Sequence, residues 1–166
     1  MINVGIIGFG YWGPNVARNF NASPEARLTA ICDLRPQRRL VATTTYPFIK
    51  AYSDPSEVIN DPEIDVVAVV TPVSSHYELA RKALLNGKHV FVEKPFTMNS
   101  QQAQDLIDLA ASRNLKIMVD HTFLFTGAVQ KMKEIIEAGE LGELLCYDSV
   151  RINLGLFQHD VNVVWD

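Results

Sequence analysis

The chain has 166 residues, 48% of them hydrophobic and 20% charged, with a net charge of −4 and a pI near 5.5. That length holds one well-formed core, or one domain and part of a second. The acidic balance argues against nucleic acid or an anionic membrane as the main partner, and no apolar run approaches the ~20 residues of a membrane span.

Ile2, Val4, Ile6 and Ile7 form a short β-branched run that predicts a buried strand. Gly8, Gly10 and Gly13 follow as G-x-G-x-x-G, with Phe9, Tyr11 and Trp12 between them, and Pro14 suits the first turn of a helix. Each glycine meets a need of a dinucleotide site. Gly8 turns the chain off the strand, Gly10 leaves room for a pyrophosphate, and Gly13 lets the helix pack closely. The free N–H groups at the helix start attract the phosphates.

The glycine pattern alone is weak evidence; it needs a strand before, a helix after and an acidic residue about 20 positions on. Val16, Ala17 and Phe20 have helical spacing, residues 27–33 read as a second strand, and Asp33 lies 20 residues after Gly13. The parts are in register for a Rossmann half. Asp33 is then the acceptor for the adenosine ribose hydroxyls, which favours NAD over NADP. Leu34 and Arg38 belong to the expected cofactor set at this end. Arg35, Arg38 and Arg39 form a group able to hold a 2′-phosphate, but their spacing reads first as an exposed helix face.

A helix is predicted over 35–44 with Pro36 in its opening turn, then a short strand at 50–52 and one helical turn at 56–60. Residues 65–70 are nearly all apolar, as a parallel strand covered on both faces should be, and Thr71-Pro72 ends it. Ser75-His-Tyr-Glu78 has the form of a capping box for a helix carrying Leu79, Ala80, Ala83 and Leu84, closed by Gly87. Residues 88–92 form the next strand and run into Glu93-Lys94-Pro95. Asn99-Ser100 caps a helix with an apolar face of Ala103, Leu106, Ile107, Ala110 and Ala111, and 115–119 is a further strand. This alternation predicts an α/β fold, a doubly wound parallel sheet over residues 1–120.

Residues 121–166 are expected to begin a second α/β domain. A helix over 127–138 should turn Val129, Met132, Ile135 and Ile136 inward, followed by a strand over 143–152 and an aperiodic stretch from Asn153. One helix and one strand cannot close a core, so this domain is expected to be incomplete.

With Glu93-Lys94-Pro95 at a strand end downstream of the glycine pattern, the chain resembles the Gfo/Idh/MocA oxidoreductases. That group includes glucose–fructose oxidoreductase, inositol dehydrogenase and many nucleotide-sugar dehydrogenases. The likeness is carried by Gly8-Phe-Gly-Tyr-Trp-Gly-Pro14, Thr71-Pro72 with His76, Lys88-His-Val-Phe-Val-Glu-Lys-Pro95 and Gly139-Glu-Leu-Gly142. It implies a Rossmann domain followed by a C-terminal α/β domain that often forms subunit interfaces, hence a homo-oligomer in the full-length form. It places Lys94 beside nicotinamide and substrate as the catalytic residue, stabilising a developing alkoxide. Glu93 would orient Lys94 or a cofactor hydroxyl. Thr71, Pro72 and His76 would line the carboxyl edge of the sheet, with helix-end packing an equal reading of His76; Tyr11 and Trp12 would wall the site or equally pack as core aromatics, and His121 would reach the nicotinamide side.

The implied activity is hydride transfer between NAD(P) and a secondary alcohol of a sugar, cyclitol or nucleotide sugar, with no metal. A second motif in the C-terminal domain usually supplies the acid/base residue. His159-Asp160 does not match its surroundings and reads as a loop pair, so that motif is expected beyond Asp166. The rival class is a dinucleotide-binding sensor or interaction module without chemistry, against which Lys94 speaks. Cys32 and Cys146 are far apart with no C-x-x-C, and the first residues lack a basic n-region; both point to a cytoplasmic protein with reduced thiols.

Overall fold

In the computed structural model the structure describes residues 1–150. They fall into two units, Met1–Asp120 and a second that begins at His121.

The first unit alternates strand and helix as its apolar patterning requires. In order these are β1 (Ile2–Ile7), α1 (Gly13–Ala22), β2 (Ala26–Cys32), α2 (Pro36–Thr45), β3 (Lys50–Tyr52), α3 (Pro55–Asn60), β4 (Val66–Val69), α4 (His76–Leu85), β5 (His89–Val92), α5 (Ser100–Ser112) and β6 (Ile117–Val119). All pairings are parallel, in the order β3-β2-β1-β4-β5-β6. The chain runs outward from β1 to β3, then crosses back to place β4 on the other side of β1. In a sheet of this kind a ligand crevice opens beyond the carboxyl ends of the two central strands.

Side chains of the central strands alternate between two apolar layers. Val4, Ile6, Leu28, Ile31 and Ala68 pack with Val16 and Ala17 of α1 and Ala42 of α2. Ile7, Ala30, Cys32, Val67, Val69, Val90 and Val92 pack with Val58 and Ile59 of α3, Ala80 and Leu84 of α4, and Leu106 and Ala110 of α5. Burial on both faces explains why β4 lacks polar alternation. Burial also pushes the Cys32 thiol up to about 12, with the Asp33 carboxylate next in effect, so the thiol stays protonated in the core.

Three local expectations are corrected. Ser75 precedes α4 but makes no side-chain cap. Its hydroxyl is instead held by Thr71 Oγ1 at 2.6 Å and the Pro72 carbonyl at 2.8 Å, because a 3-10 turn over Val73–Ser75 leads straight into the helix. The capping box forms at Asp54 and Glu57, opening α3 one residue before the expected Ser56. On α5 the buried face runs through Leu106 and Ala110 with Leu109 packed against it, while Ile107 is 49% exposed and Ala111 is exposed. The apolar stripe is rotated from the one first read. Asn99 does cap this helix, accepting from Gln102 N at 3.0 Å, and Gly87 takes its positive φ of 75°.

The second unit holds a 3-10 turn over Thr122–Phe125 and α6 (Gly127–Glu137). No residue of α6 is buried, and Met132 and Ile136 are 47% and 45% exposed, contrary to the inward face expected for them. Residues 143–150 form no strand. A strand without a partner to pair with is not stable by itself. The remainder of that predicted strand, the stretch from Asn153 and the His159-Asp160 pair lie outside the described residues.

Candidate functional site

The last rungs of the sheet bring the predicted site together. Asp33 N donates to Tyr52 O, Gly8 N to Cys32 O, Val70 N to Ile7 O, Glu93 N to Val69 O and Asp120 N to Val92 O, at 2.8–3.3 Å. The first residue beyond each of five strands is thereby fixed in one line along the carboxyl edge. Asp33, Gly8 and Glu93 are each set by a backbone bond to the neighbouring strand.

At the centre of that line the glycine loop leaves β1. Gly8 adopts φ +101°, and a Cβ there would overlap the Val70 carbonyl, so only glycine makes the turn without strain. Gly10 differs. Among the described residues a Cβ there would meet only Arg35 Nη2, at 3.6 Å, which leaves room for a ligand. Gly13 opens α1 without a side-chain cap from Trp12 and without an acidic residue in the first turn. A helix start with neither a side-chain cap nor an acidic residue, beside an open glycine, suits the diphosphate of a dinucleotide. Phe9 turns its side chain into the core, 1% exposed, and contributes only its backbone. Tyr11 and Trp12 are not core residues; they stack on each other at the surface, ring centroids 6.2 Å apart.

Asp33, 7% exposed, accepts from Phe9 N at 2.9 Å, which ties the second strand end to the glycine loop. The same carboxylate accepts Arg35 N, Nε and Nη2 at 2.9–3.0 Å. Burial works to raise its pKa, but the Arg35 bonds, the Phe9 bond and the Arg35 charge outweigh it and hold the carboxyl at about 2. Asp33 is therefore an anion at any neutral pH. Arg39 Nη1 donates to the carbonyls of Asp33 and Leu34. Arg35 and Arg39 are thus not a plain exposed helix face, as the spacing suggested; the two residues clasp the Asp33 turn. Leu34 is 78% exposed at that turn, and Arg38 is half-buried in α2.

On the other side of the centre, His76 is 1% exposed. Its Nδ1 lies 2.9 Å from Pro95 O and its Nε2 2.8 Å from Thr71 O. The ring therefore links the loop after β4 to the loop after β5, with each nitrogen facing a backbone carbonyl. Glu93 is buried, its Oε2 accepts Lys94 N at 2.9 Å, and its Oε1 is enclosed without a hydrogen-bond partner among the described residues. Burial, followed by the Asp120 charge, pushes the Glu93 carboxyl up to about 7. Lys94 itself is exposed at the edge, between Glu93 and a cis peptide to Pro95. Asp120 was not singled out in the sequence, because only the adjacency of β5 and β6 brings it to Glu93. His121 lies in the second unit.

The profile of a family described as an oxidoreductase family with an NAD-binding Rossmann fold matches residues 2–121. The chain belongs to the Gfo/Idh/MocA family. Among relatives of this family, a myo-inositol 2-dehydrogenase of Thermotoga maritima is 32% identical over 142 residues, 86% of this chain and 42% of that protein. A 2,7-anhydro-N-acetylneuraminate hydratase of Escherichia coli K12 is 31% identical over 145 residues, 87% of this chain and 38% of the relative. A crystal structure of scyllo-inositol dehydrogenase from Lactobacillus casei, with bound NAD(H) and scyllo-inositol, superposes with a TM-score of 0.80 at 26% identity over 86% of this chain and 42% of that one. The chain thus spans about two-fifths of the length of these relatives. No helix among the described residues is long and apolar enough to cross a membrane.

Proposed function

We propose that this chain carries the cofactor-binding part of an NAD(P)-dependent dehydrogenase acting on a secondary alcohol of a sugar, cyclitol or nucleotide sugar. The observation that carries the reading is the alignment of the Gly8 turn, Asp33 and Glu93-Lys94 along one sheet edge by consecutive backbone bonds. The names of the inositol-directed relatives support the substrate class. In this reading Gly8, Gly10 and Gly13 with the start of α1 hold the pyrophosphate. Asp33 accepts from the adenosine ribose, with Leu34 and Arg38 at its flank. Thr71 and Pro72 line the nicotinamide side, and Tyr11 and Trp12 flank the mouth of the glycine loop.

The bound dinucleotide supplies the hydride acceptor or donor. Lys94 donates a hydrogen bond to the substrate oxygen, and its charge stabilises the alkoxide that develops there. Glu93 fixes the peptide that carries Lys94, and His76 fixes the loop on its far side. His121 is a proposed cofactor-binding residue, and the second unit would begin the substrate and oligomerisation domain of a homo-oligomer. The free cysteines, Cys32 buried and Cys146 exposed, suit work in the reducing cytoplasm.

The test is NAD reduction followed at 340 nm over a panel of cyclitols and sugars, for the full chain joined to any downstream coding sequence and for its Lys94→Met variant. Turnover that disappears in Lys94→Met while dinucleotide binding is kept is the expected result. Binding with no turnover on any secondary alcohol would favour a non-catalytic sensor.

A further inference from the structure

Glu93 and Asp120 stand side by side at the carboxyl edge of the sheet. β5 and β6 pair Val92 with Val119, and Asp120 N donates to Val92 O at 2.8 Å, so the two acids occupy the next rung and share a face. Glu93 is buried and Asp120 half-buried. Glu93 Oε2 accepts Lys94 N, while Oε1 is enclosed with no partner among the described residues, although the Asp120 carboxyl lies within hydrogen-bonding reach of Glu93. Two ionised carboxylates placed this way repel each other. One proton on the pair removes the repulsion and turns an acceptor into a donor. The charged groups that act on Glu93 are Asp120 and Lys94. β4 runs out into Val70-Thr71, which brings no charge, and His76 of α4 faces the Thr71 and Pro95 carbonyls. His121 follows Asp120 in the chain and begins the second unit.

This pair stands at the end of the crevice that the dinucleotide reading gives to the nicotinamide. With the pyrophosphate at the glycine loop after β1 and the adenosine at Asp33 after β2, the far end of the cofactor extends past β4 toward β5. The oxidised nicotinamide ring is a cation and the reduced ring is neutral. A cation beside two acids favours the state in which both are ionised, and a neutral ring exerts no such pull. We propose that Glu93 and Asp120 form a carboxyl pair that keeps one proton beside reduced nicotinamide and yields it to solvent when oxidised nicotinamide binds, with Asp120 positioning that proton through Glu93. When an alcohol is oxidised, the hydride neutralises the ring and the hydroxyl proton is released, so the pair regains its hold on a proton at the step that frees one. The proposal rests on the dinucleotide reading above and adds a proton to its binding equilibrium.

The experiment is calorimetric titration of the full chain with NAD⁺ and with NADH, in two buffers of different ionisation enthalpy, which counts the protons released. For a ring charge that weakens proton binding about tenfold, NAD⁺ should release roughly 0.4 of a proton near pH 7 and bind roughly fivefold more tightly at about pH 8 than at about pH 6. NADH should release almost none and change less than about twofold over the same range. These wild-type arms decide the proton count without any variant. Asp120→Asn, checked for folding by circular dichroism, should cut the release by at least about half, because it removes the neighbouring charge and supplies an amide donor to Glu93. Glu93→Gln should abolish the release, and His121→Gln should retain it. Equal pH dependence for the two cofactors, no proton released by NAD⁺, or a release that survives Asp120→Asn undiminished or vanishes in His121→Gln would overturn the proposal. Binding of neither cofactor by folded wild type would instead remove the dinucleotide reading, and this proposal with it.

Discussion

Glu93 is a carboxyl held in surroundings that disfavour its charge, and replacing it with glutamine tests that environment. The residue is 8% exposed, its Oε1 has no hydrogen-bond partner among the described residues, and burial with the Asp120 charge moves its pKa from 4.5 to about 7. The folded-state value lies above the unfolded one, so the protonated group favours folding. That contribution is complete below about pH 4.5 and is lost as pH rises through about 7. A shift of this size corresponds to about 3 kcal/mol between the two protonation states. Glu93→Gln keeps the shape and the acceptor for Lys94 N, removes the charge, and adds an N–H₂ that can face Asp120. At pH 8.5 the variant should therefore be more stable than wild type by about 1–3 kcal/mol, and near pH 4.5 the difference should shrink to about zero. Urea unfolding at both pH values, with matching m-values, measures this directly. A difference that is the same at both pH values, or a variant less stable at pH 8.5, would show that the buried carboxyl is not strained as described.

Two further substitutions separate backbone geometry from side-chain bonding. His76→Ala should destabilise the fold by about 2–4 kcal/mol, because it opens a cavity at a 1%-exposed site and removes the ring that bridges the Thr71 and Pro95 carbonyls; denaturant unfolding with a loss under about 0.5 kcal/mol would contradict that role. Gly8→Ala should lose about 1–3 kcal/mol from its φ of +101° alone, with the Val70 carbonyl overlap adding to it. Unchanged thermal stability would mean that the turn is not held as described.

Much of the first unit was legible in the sequence because its signals are local. The glycine pattern, the twenty-residue step to Asp33 and the apolar runs of β1, β4 and β5 each depend on neighbours in the chain, and each lies where the spacing put it. What was misread depends on competition between partners. Ser75 has a residue type suited to capping, but its backbone is already helical at φ −102° and ψ −7°, whereas Asp54 has the extended conformation a cap requires. Ile107 fits a helical stripe as well as Leu109 does, and only the position of α4 and the sheet chooses between them. Arg35 looked like a surface charge because its type and position fit an exposed turn equally well; its fork on Asp33 follows from the chain folding back over two residues. The Glu93–Asp120 pair had no sequence signal, since the two residues meet only across β5 and β6.

The most direct test of the dinucleotide site is calorimetric titration of NADH into wild type and into Gly10→Ala, with the unfolding temperature of each. Among the described residues the Gly10 position is open apart from Arg35 at 3.6 Å, so the variant should fold as wild type does, within about 2 °C for a surface change of this kind. Wild type should bind saturably, and Gly10→Ala should bind much more weakly, because its methyl group stands where the pyrophosphate must approach. Equal binding by both, or no binding by a folded wild type, would contradict the site.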